Sequence, residues 1–286
     1  MTFTILTDST CDLSQEWSQA NNIDILGLTV ELNDQSYQTV GDQALDSNLL
    51  LEQMKKGAKP KTSQINVGTF EVYFKERAEL KEPVLYLAFS SVLSGTYQSA
   101  VMAREIVLEE HPEAVIEIID TLAAAGGEAL LVLKADQARK SGKNLQETKT
   151  LIEGLAPRIT SYFLVDDLYH LMRGGRLSKS SAILGSIASI KPILTIASEG
   201  TLVPISKVRG RKKAIRELLA LALADVAEEP LVISYTGGSE QAEKLKATIE
   251  AESQVSEIIL IPIGPVIGAH VGPDTLAIFS IGQYER

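Results

Sequence analysis

The chain has 286 residues, 45% of them hydrophobic, which is enough for two domains, and its formal net charge of −10 at pH 7 excludes the basic face that nucleic-acid binding needs. A single cysteine, Cys11, rules out an internal disulfide and a cysteine metal site and is typical of a reducing compartment. No apolar run is long enough to cross a bilayer and no signal peptide is visible, so the chain is predicted to be cytoplasmic, with no stable membrane insertion.

The first predicted strand covers residues 3–7 and leads into a turn, 8–13, that is rich in hydroxyl and carboxyl groups. In open α/β sheets ligands bind beyond the carboxyl ends of the strands, which makes Asp8 and its neighbours candidates for a binding loop. The same residues suit a turn that is followed by a capped helix. Farther along, the apolar pattern predicts a second strand at 23–32 and a helix at 45–54.

The polar connection 61–64 contains hydroxyl side chains, among them Thr62, and precedes a helix that begins near Val67. Loop hydroxyls bind ligands in many proteins. They also satisfy the backbone groups of their own loop, and the sequence alone leaves both roles open for Thr62.

A hydroxyl-rich corner follows the apolar strand predicted at 83–89. Residues 90–100 contain Ser94 and Gly95 and open a helix whose apolar positions recur at helical spacing. The first turn of a helix has backbone N–H groups without intrahelical partners, so an acidic ligand can bind there without a cationic side chain. The corner is therefore a candidate anion site to which Ser94 adds a hydroxyl donor. The alternative is that Ser94 only caps the helix.

Strand and helix alternate through the first half of the chain. A further strand is predicted at 114–121, followed by a small-residue stretch at 123–127 and another helix. This alternation is typical of a parallel sheet with helices on both faces. The pattern changes near Pro157, which places a predicted domain boundary between residues 1–156 and 157–286.

The second half of the chain contains predicted strands that are interrupted less regularly by helices. These strands are predicted at 162–166, 192–196, 201–207, 231–235, 257–262 and 276–281. The turn Ser198-Glu199-Gly200 joins two of them as a hairpin. The predicted helices lie around Leu171 and at 182–188, 211–227 and 240–251. The pattern indicates a mixed sheet with helices, different from the first domain.

Two cationic runs stand out in this acidic chain. The first, Arg173-Gly174-Gly175-Arg176, presents two guanidinium groups on a tight turn, and the second covers residues 207–213. Arginine matches the geometry of phosphate and carboxylate groups, so either run is a candidate contact for a phosphorylated group or an acidic partner. The alternative is ordinary solvated surface charge.

Residues 264–273 are rich in glycine and are predicted to form a loop between the last two strands. His270 lies in this segment, where it can donate to a carboxylate or a bridging water, or bond to a nearby carbonyl. The other histidines, His111 and His170, have no companions at ligand spacing, so no metal site is assigned.

The sequence contains no Walker loop, no dinucleotide fingerprint and no nucleophile elbow, so an enzyme is not the first expectation. The alternative is a serine hydrolase that uses Ser94 and His270 with an acid such as Asp8, which requires a hydrogen bond from His270 to Ser94. A binding module for another small acid is a third hypothesis.

Taken together, these segments resemble the DegV family of bacterial fatty-acid-binding proteins. The matching segments span nearly the whole chain in family order and lie at 7–13, 61–64, 90–100, 173–178, 208–214 and 264–273. The resemblance implies an α/β fold with a Rossmann-like, parallel-sheet first domain and a mixed-sheet α/β second domain, which enclose an acyl chain between them.

The resemblance also implies roles for individual residues. Thr62 and Ser94 would hold the carboxylate of a long-chain fatty acid such as palmitate, with His270 near that head group and no cofactor. In characterised members a separate fatty acid kinase converts the bound acid to an acyl phosphate, and Arg173 and Arg209 would face that partner. The resulting prediction is a non-catalytic fatty-acid-binding protein of lipid transport or metabolism.

Overall fold

The computed structural model describes residues 3–178 and 190–286. Its strands are β1 (Thr4–Asp8), β2 (Ile23–Leu26), β3 (Thr29–Leu32), β4 (Gln35–Gln38), β5 (Lys61–Ser63), β6 (Val84–Ala88), β7 (Ile116–Asp120), β8 (Ile159–Leu164), β9 (Ile190–Ile196), β10 (Leu202–Arg209), β11 (Glu228–Tyr235), β12 (Ile258–Pro262) and β13 (Leu276–Ile281). The helices of the described residues are α1 (Gln15–Ala20), α2 (Ser47–Lys55), α3 (Val67–Glu79), α4 (Thr96–Glu110), α5 (Gly126–Lys140), α6 (Leu145–Leu155), α7 (Tyr169–Arg173), α8 (Arg211–Leu223), α9 (Glu240–Glu252) and α10 (Pro265–Val271). No helix among them is long and apolar enough to cross a membrane.

The predicted parallel sheet is a four-stranded sheet in the order β2-β1-β6-β7. Its strand β6 is buried on both faces: Val84 and Tyr86 belong to the apolar cluster that includes α3 and α4, and Leu85 and Leu87 to the cluster that includes α5 and α6. The chain leaves β1 toward β2 on one side and returns to β6 on the other. Because ligands bind where the strand order reverses in this way, the ends of β1 and β6 are the expected place for a site.

The predicted strand at 23–32 is wrong in one respect, because the chain forms two strands there. After β2 the backbone N–H of Leu28 donates to Oγ of Ser9 at 3.0 Å instead of continuing the parallel ladder. Gly27 also packs closely, since a Cβ atom there would lie 2.7 Å from Val40. The chain then enters a three-stranded antiparallel sheet in the order β4-β3-β5, which includes Thr62. Residues 61–64, predicted as a polar connection, therefore contain an edge strand of this sheet.

The second half of the chain forms a six-stranded mixed sheet in the order β10-β9-β8-β13-β11-β12. All its predicted strands are present, and β9 and β10 form the predicted hairpin. Helices α7, α8 and α9 match the predicted helices, whereas the helix predicted at 182–188 lies outside the described residues.

The prediction of a loop at 264–273 is wrong, because Pro265–Val271 is a helix. Proline suits the first position of a helix, where its missing N–H has no partner in any case. The N–H of Gly264 just ahead of it donates to Oδ1 of Asp12 at 2.9 Å, and Gly272 ends the helix at a φ of 75°. The glycines that suggested a loop therefore mark the two ends of a helix.

The two large sheets share one apolar core. Ile5 and Leu85 of the parallel sheet belong to the same buried cluster as Phe163 and Phe279 of the six-stranded sheet. The start of α5 fits tightly between them, since a Cβ atom on Gly126 would lie 2.5 Å from the Phe279 ring. The division into domains 1–156 and 157–286 stays a prediction. The strands of the four-stranded sheet come before this boundary in the sequence, and those of the six-stranded sheet come after it.

Candidate functional site

A cavity of about 340 Å³ lies between the two large sheets. Most of its wall is apolar and comes from both halves of the chain, as shown by Phe89, Leu93, Phe163, Ile196 and Phe279. Its polar members are Thr62, Ser63, Gln64, Ser94, Arg176, His270 and Thr275. The volume falls within the range of about 300 to 1,000 Å³ that is usual for small-molecule sites.

Thr62 and His270 meet in the wall of this cavity. Oγ1 of Thr62 lies 2.7 Å from Nε2 of His270, which is within hydrogen-bond distance. Thr62 is held by the pairing of β5 with β3, opposite Val30, and His270 lies in the last turn of α10. The cavity therefore joins two residues that are distant in sequence and that come from different elements.

The environment of His270 keeps its imidazole neutral. Burial, followed by the nearby cations of Arg176 and Arg173, lowers the pKa of His270 to about 4. Nδ1 of the ring is buried and has no hydrogen-bond partner. A neutral imidazole carries one hydrogen on its two nitrogens, so a single tautomer decides whether His270 donates to Thr62 or accepts from it.

Ser94 lies where the corner after β6 meets α4, and it lines the cavity. Its Oγ lies 2.9 Å from Oγ1 of Thr96 and accepts from the backbone N–H of Thr96 at 3.3 Å. The N-cap of α4 is Gly95 and not Ser94, which corrects the simple capping alternative. Ser94 thus contacts the first N–H of the helix and also lines the cavity.

Gln64 connects the two segments that carry these hydroxyls. Its Nε2 donates to Oγ of Ser99 at 2.9 Å and to the carbonyl of Gly95 at 3.4 Å. A Cβ atom on Gly95 would lie 2.2 Å from Oε1 of Gln64, so a larger residue at this position would displace the Gln64 amide from its present contacts. The contact fixes the strand of Thr62 against the corner of Ser94.

Arg176, predicted from the sequence as a candidate contact for a phosphorylated group or an acidic partner, lines the cavity. Its Nε donates to the carbonyl of Leu93 at 3.0 Å, immediately before Ser94. Arg173 donates from Nη2 to the carbonyl of Ala269 at 3.2 Å, immediately before His270. Both arginines of the turn are therefore engaged with backbone groups beside predicted head-group residues. The signal in the sequence was the pair of guanidinium groups in this segment, whose geometry matches a carboxylate or a phosphate group.

Arg209 lies apart from this group. It is the last residue of β10 and is exposed, and the structure does not bring it to the cavity. Lys207 on the same strand is also exposed. The predicted role of Arg209 toward a partner stays a prediction.

The hydrogen bonds of a serine hydrolase are not formed among the described residues. Oγ of Ser94 contacts Thr96, whereas Nε2 of His270 contacts Thr62. No carboxylate accepts from Nδ1 of His270, and the charged groups that affect this ring are arginines. Asp8, the acid proposed for a triad, accepts instead from the N–H of Phe89 at 3.1 Å. The arrangement lacks the base that would activate Ser94.

The turn after β1, predicted as a binding loop, forms a buried polar network behind the cavity wall. Oγ1 of Thr10 lies 2.6 Å from Oδ1 of Asp8 and 2.7 Å from Oε2 of Glu128. A hydroxyl has one hydrogen, so it donates to one carboxyl group and the other must carry a proton of its own. Sequence analysis missed Glu128, because a glutamate in the first turn of a helix is ordinarily a surface residue.

Glu128 is the protonated member of this pair. Burial raises the pKa of Glu128 well above its usual value and the neighbouring Asp8 raises it further, which outweighs the opposing hydrogen bonds with Thr10 and Thr7. Burial also raises the pKa of Asp8, but hydrogen bonds from Thr10, Tyr86 and Phe89 oppose the rise. Asp8 is therefore the ionised acceptor that ties the ends of β1 and β6 together. Within residues 3–178 and 190–286 no three acidic, histidine or cysteine side chains are placed to hold a metal ion.

Comparisons with known proteins cover the whole of this fold. The model of the family described as "Uncharacterised protein, DegV family" matches residues 2–283. A DegV domain-containing protein of Streptococcus pyogenes serotype M1 is 57% identical over 286 residues, which is 100% of both chains.

Two solved structures superpose on nearly the full length of this chain. A fatty-acid-binding DegV family protein of Thermus thermophilus has a TM-score of 0.85 and 29% identity, over 99% of this chain and 100% of that chain. DegV of Bacillus subtilis, described as a fatty acid binding protein, has a TM-score of 0.83 and 29% identity over the same shares. The predicted pairing of a parallel-sheet domain with a mixed-sheet domain is confirmed by this overlap.

Proposed function

The chain belongs to the DegV family, and on this basis we propose that it binds a long-chain fatty acid such as palmitate in the cavity between its two large sheets. The hydroxyls of Thr62 and Ser94 hold the carboxylate, His270 lies near that head group, and the acyl chain lies against the apolar wall. The observation that carries the proposal is the cavity itself, which combines an extended apolar lining with these three polar residues.

The apolar wall supplies most of the affinity. Burying one methylene group contributes about 0.8 kcal/mol, so the chain of palmitate gains on the order of 10 kcal/mol before the costs of ordering and association. Hydrogen bonds to a charged group contribute about 1.5 to 3 kcal/mol each. The hydroxyls of Thr62 and Ser94 therefore add orientation and selectivity for the acid head group.

The tautomer of His270 decides whether Thr62 can donate to a carboxylate. If Nε2 carries the hydrogen, it donates to Oγ1 of Thr62, and the Thr62 hydroxyl keeps its own hydrogen for the ligand. If Nδ1 carries the hydrogen, Thr62 must donate to the ring and has none left. The proposed function therefore requires the Nε2–H tautomer, with Nδ1 as the bare nitrogen that faces Gly174.

Arg176 adds a positive charge to a site that sequence reasoning described as made of neutral donors. Its Nε is engaged by the carbonyl of Leu93, beside Ser94. At this place the guanidinium favours an ionised ligand, because an opposite charge nearby stabilises a carboxylate. The cation supports a fatty acid over a neutral ester as the occupant.

We further propose that the protein is non-catalytic and presents its bound acid to a fatty acid kinase. The exposed Arg209 and Lys207 offer a cationic surface to such a partner, as does Arg173 near the head-group site. Binding of the purified protein to a fatty acid kinase, compared between wild type and Arg209→Glu, tests this part. If both proteins bind the kinase equally well, Arg209 does not belong to the docking surface.

The binding function is tested by mass spectrometry of the purified protein under native and then denaturing conditions. We expect release of a long-chain fatty acid at near one molecule per chain. If none is released, and a delipidated, folded sample does not bind added palmitate, the proposal is wrong. The next test is then hydrolysis of a short acyl ester, with Ser94→Ala and His270→Ala as controls.

A further inference from the structure

The Arg173-Gly174-Gly175-Arg176 segment forms a tight turn at the end of α7 that is fixed to its own helix. The N–H of Gly174 donates to the carbonyl of His170 at 3.1 Å, and the N–H of Arg176 donates to that of Leu171 at 3.0 Å. Leu171 is buried. The turn is therefore anchored in the core before it meets the cavity.

Gly174 lies directly against the ring of His270. A Cβ atom on Gly174 would lie 2.2 Å from Nδ1 and 2.7 Å from Cε1 of that ring. The φ of Gly174 is −72°, a value that any residue adopts, so the glycine is needed here for space and not for conformation. The absence of a side chain allows the ring to take the position in which Nε2 meets Thr62.

The two arginines hold the backbone on either side of the same site. Arg173 donates to the carbonyl of Ala269, the neighbour of His270, and Arg176 donates to that of Leu93, the neighbour of Ser94. Arg176 also donates from Nη1 to the carbonyl of Gly174, which closes the turn. One rigid turn thus contacts the backbone beside two residues that are 176 positions apart in the sequence.

We propose that the Arg173–Arg176 turn is a positioning element for the head-group site: Gly174 and Arg173 set the ring of His270 against Thr62, and Arg176 sets the corner that carries Ser94. This inference rests on the proposed function and deepens it, because it names residues that act through His270 and Ser94. Gly174 acts by leaving space, which makes its role separable from charge.

The test is a double-mutant cycle with Gly174→Ala and His270→Ala, measured by palmitate binding to delipidated protein. Gly174→Ala should weaken binding about tenfold or more in the wild-type background, because the added methyl group displaces the ring. In the His270→Ala background the methyl group has no ring to displace, so the same substitution should change the affinity by less than about twofold. An equal loss in both backgrounds would overturn the proposal, because Gly174 would then act independently of His270.

Gly154→Ala is the matched control. Gly154 is exposed in α6 and a Cβ atom there meets nothing within 4 Å, so binding should be unchanged. Thermal melts of all variants check the fold. We expect Gly174→Ala to melt at the wild-type temperature although it binds palmitate more weakly. The His270 ring is the end of a side chain and can move without unfolding α10.

A second readout does not depend on a ligand. In NMR spectra of histidine rings, Gly174→Ala should move the signals of His270 and leave those of His111 in place. Unchanged His270 signals would overturn the positioning role even if palmitate binds. If the wild type fails to bind any fatty acid while Gly174→Ala still moves the His270 ring, the proposed function is wrong and the contact between turn and ring stands.

Discussion

Oγ1 of Thr62 lies 2.7 Å from Nε2 of His270, although 208 positions separate the two residues in the chain. Thr62 belongs to a three-residue edge strand, and His270 to a seven-residue helix. Neither element is stable alone, so their meeting depends on the packing of α10 against the small antiparallel sheet. This hydrogen bond forms only when the two halves of the chain pack correctly around the cavity.

Removal of the head-group hydroxyls should weaken fatty acid binding without unfolding the protein. Loss of a hydrogen bond to a charged group costs about 1.5 to 3 kcal/mol, so Thr62→Val or Ser94→Ala should each lower the affinity for palmitate by about 10- to 150-fold. Titration of delipidated protein with a fluorescent fatty acid measures the change. Thr248→Val on the exposed face of α9 is the control, because it lies outside the cavity lining. Unchanged affinity in the Thr62→Val/Ser94→Ala double variant would refute the head-group assignment.

Acid should destabilise the protein through His270. The pKa of His270 is lowered from 6.5 to about 4, so between these values the unfolded chain binds a proton that the folded chain does not. The stabilising contribution of the neutral ring is therefore complete above pH 6.5 and is lost as the pH falls toward 4. This lowering of the pKa of His270 corresponds to about 3 kcal/mol in the free energy of unfolding.

The variant His270→Asn isolates this effect. Denaturant unfolding at several pH values from 7 to 4.5 should show that the variant loses less stability than the wild type over this range. His111→Asn, at the end of α4, is measured in parallel and gives the background for loss of one histidine side chain. If His270→Asn and wild type lose stability in parallel, the ring is not held neutral in the fold.

A rise in pH should destabilise the protein through Glu128. The pKa of Glu128 is raised well above 4.5, so above that value the folded chain holds a proton that the unfolded chain has released. Stability from this group therefore falls as the pH rises, by about 1.4 kcal/mol per pH unit until folded Glu128 ionises. Glu128→Gln keeps a donor toward Thr10 without titrating, so its stability relative to wild type should grow between pH 5 and 8.

Denaturant unfolding at these pH values measures the difference. The exposed Glu79→Gln, measured in parallel, gives the background for loss of one carboxylate. A stability difference between Glu128→Gln and wild type that is constant with pH would mean that Glu128 is already ionised in the folded protein. The proton of the Thr10 network would then have to reside on Asp8.

Local patterns predicted the strands well, because buried apolar runs such as β6 carry their own signal. They failed where a tertiary contact decides the structure. The break at Gly27 depends on Val40 and Ser9, and the helix at Pro265 depends on a bond from Gly264 to Asp12, more than 250 residues away in the chain. No periodicity encodes such contacts.

The same limit applies to the site. Ser94 has a local signal, since it lies between a buried strand and a helix start. The local sequence left the roles of Thr62 and His270 open, and only the resemblance to a family placed them at the head group. Glu128 was missed, and Arg176 was predicted only as a general contact for an acidic or phosphorylated group. Their partners are the hydroxyl of Thr10 and the carbonyl of Leu93, which only the folded chain brings to them. Residue type identifies a candidate donor, and the fold alone identifies its partner.

Enlarging a side chain in the cavity wall should alter ligand choice more than stability. Ala277 on β13 is buried and lines the cavity, opposite Phe163 in the neighbouring strand. Because empty space adjoins it, Ala277→Leu can direct its added atoms into the cavity, and the melting temperature should change little. The filled volume should weaken binding of an 18-carbon acid more than that of a 12-carbon acid, measured by titration of delipidated protein with each.

Ala222 in α8 provides the contrast. It is equally buried, but it belongs to the core cluster on the other face of the six-stranded sheet and does not line the cavity. Ala222→Leu overpacks that core and should cost about 1 to 3 kcal/mol of stability with the ratio of the two affinities unchanged. If Ala277→Leu instead destabilises the protein as much as Ala222→Leu and leaves that ratio at the wild-type value, the acyl chain does not pass Ala277.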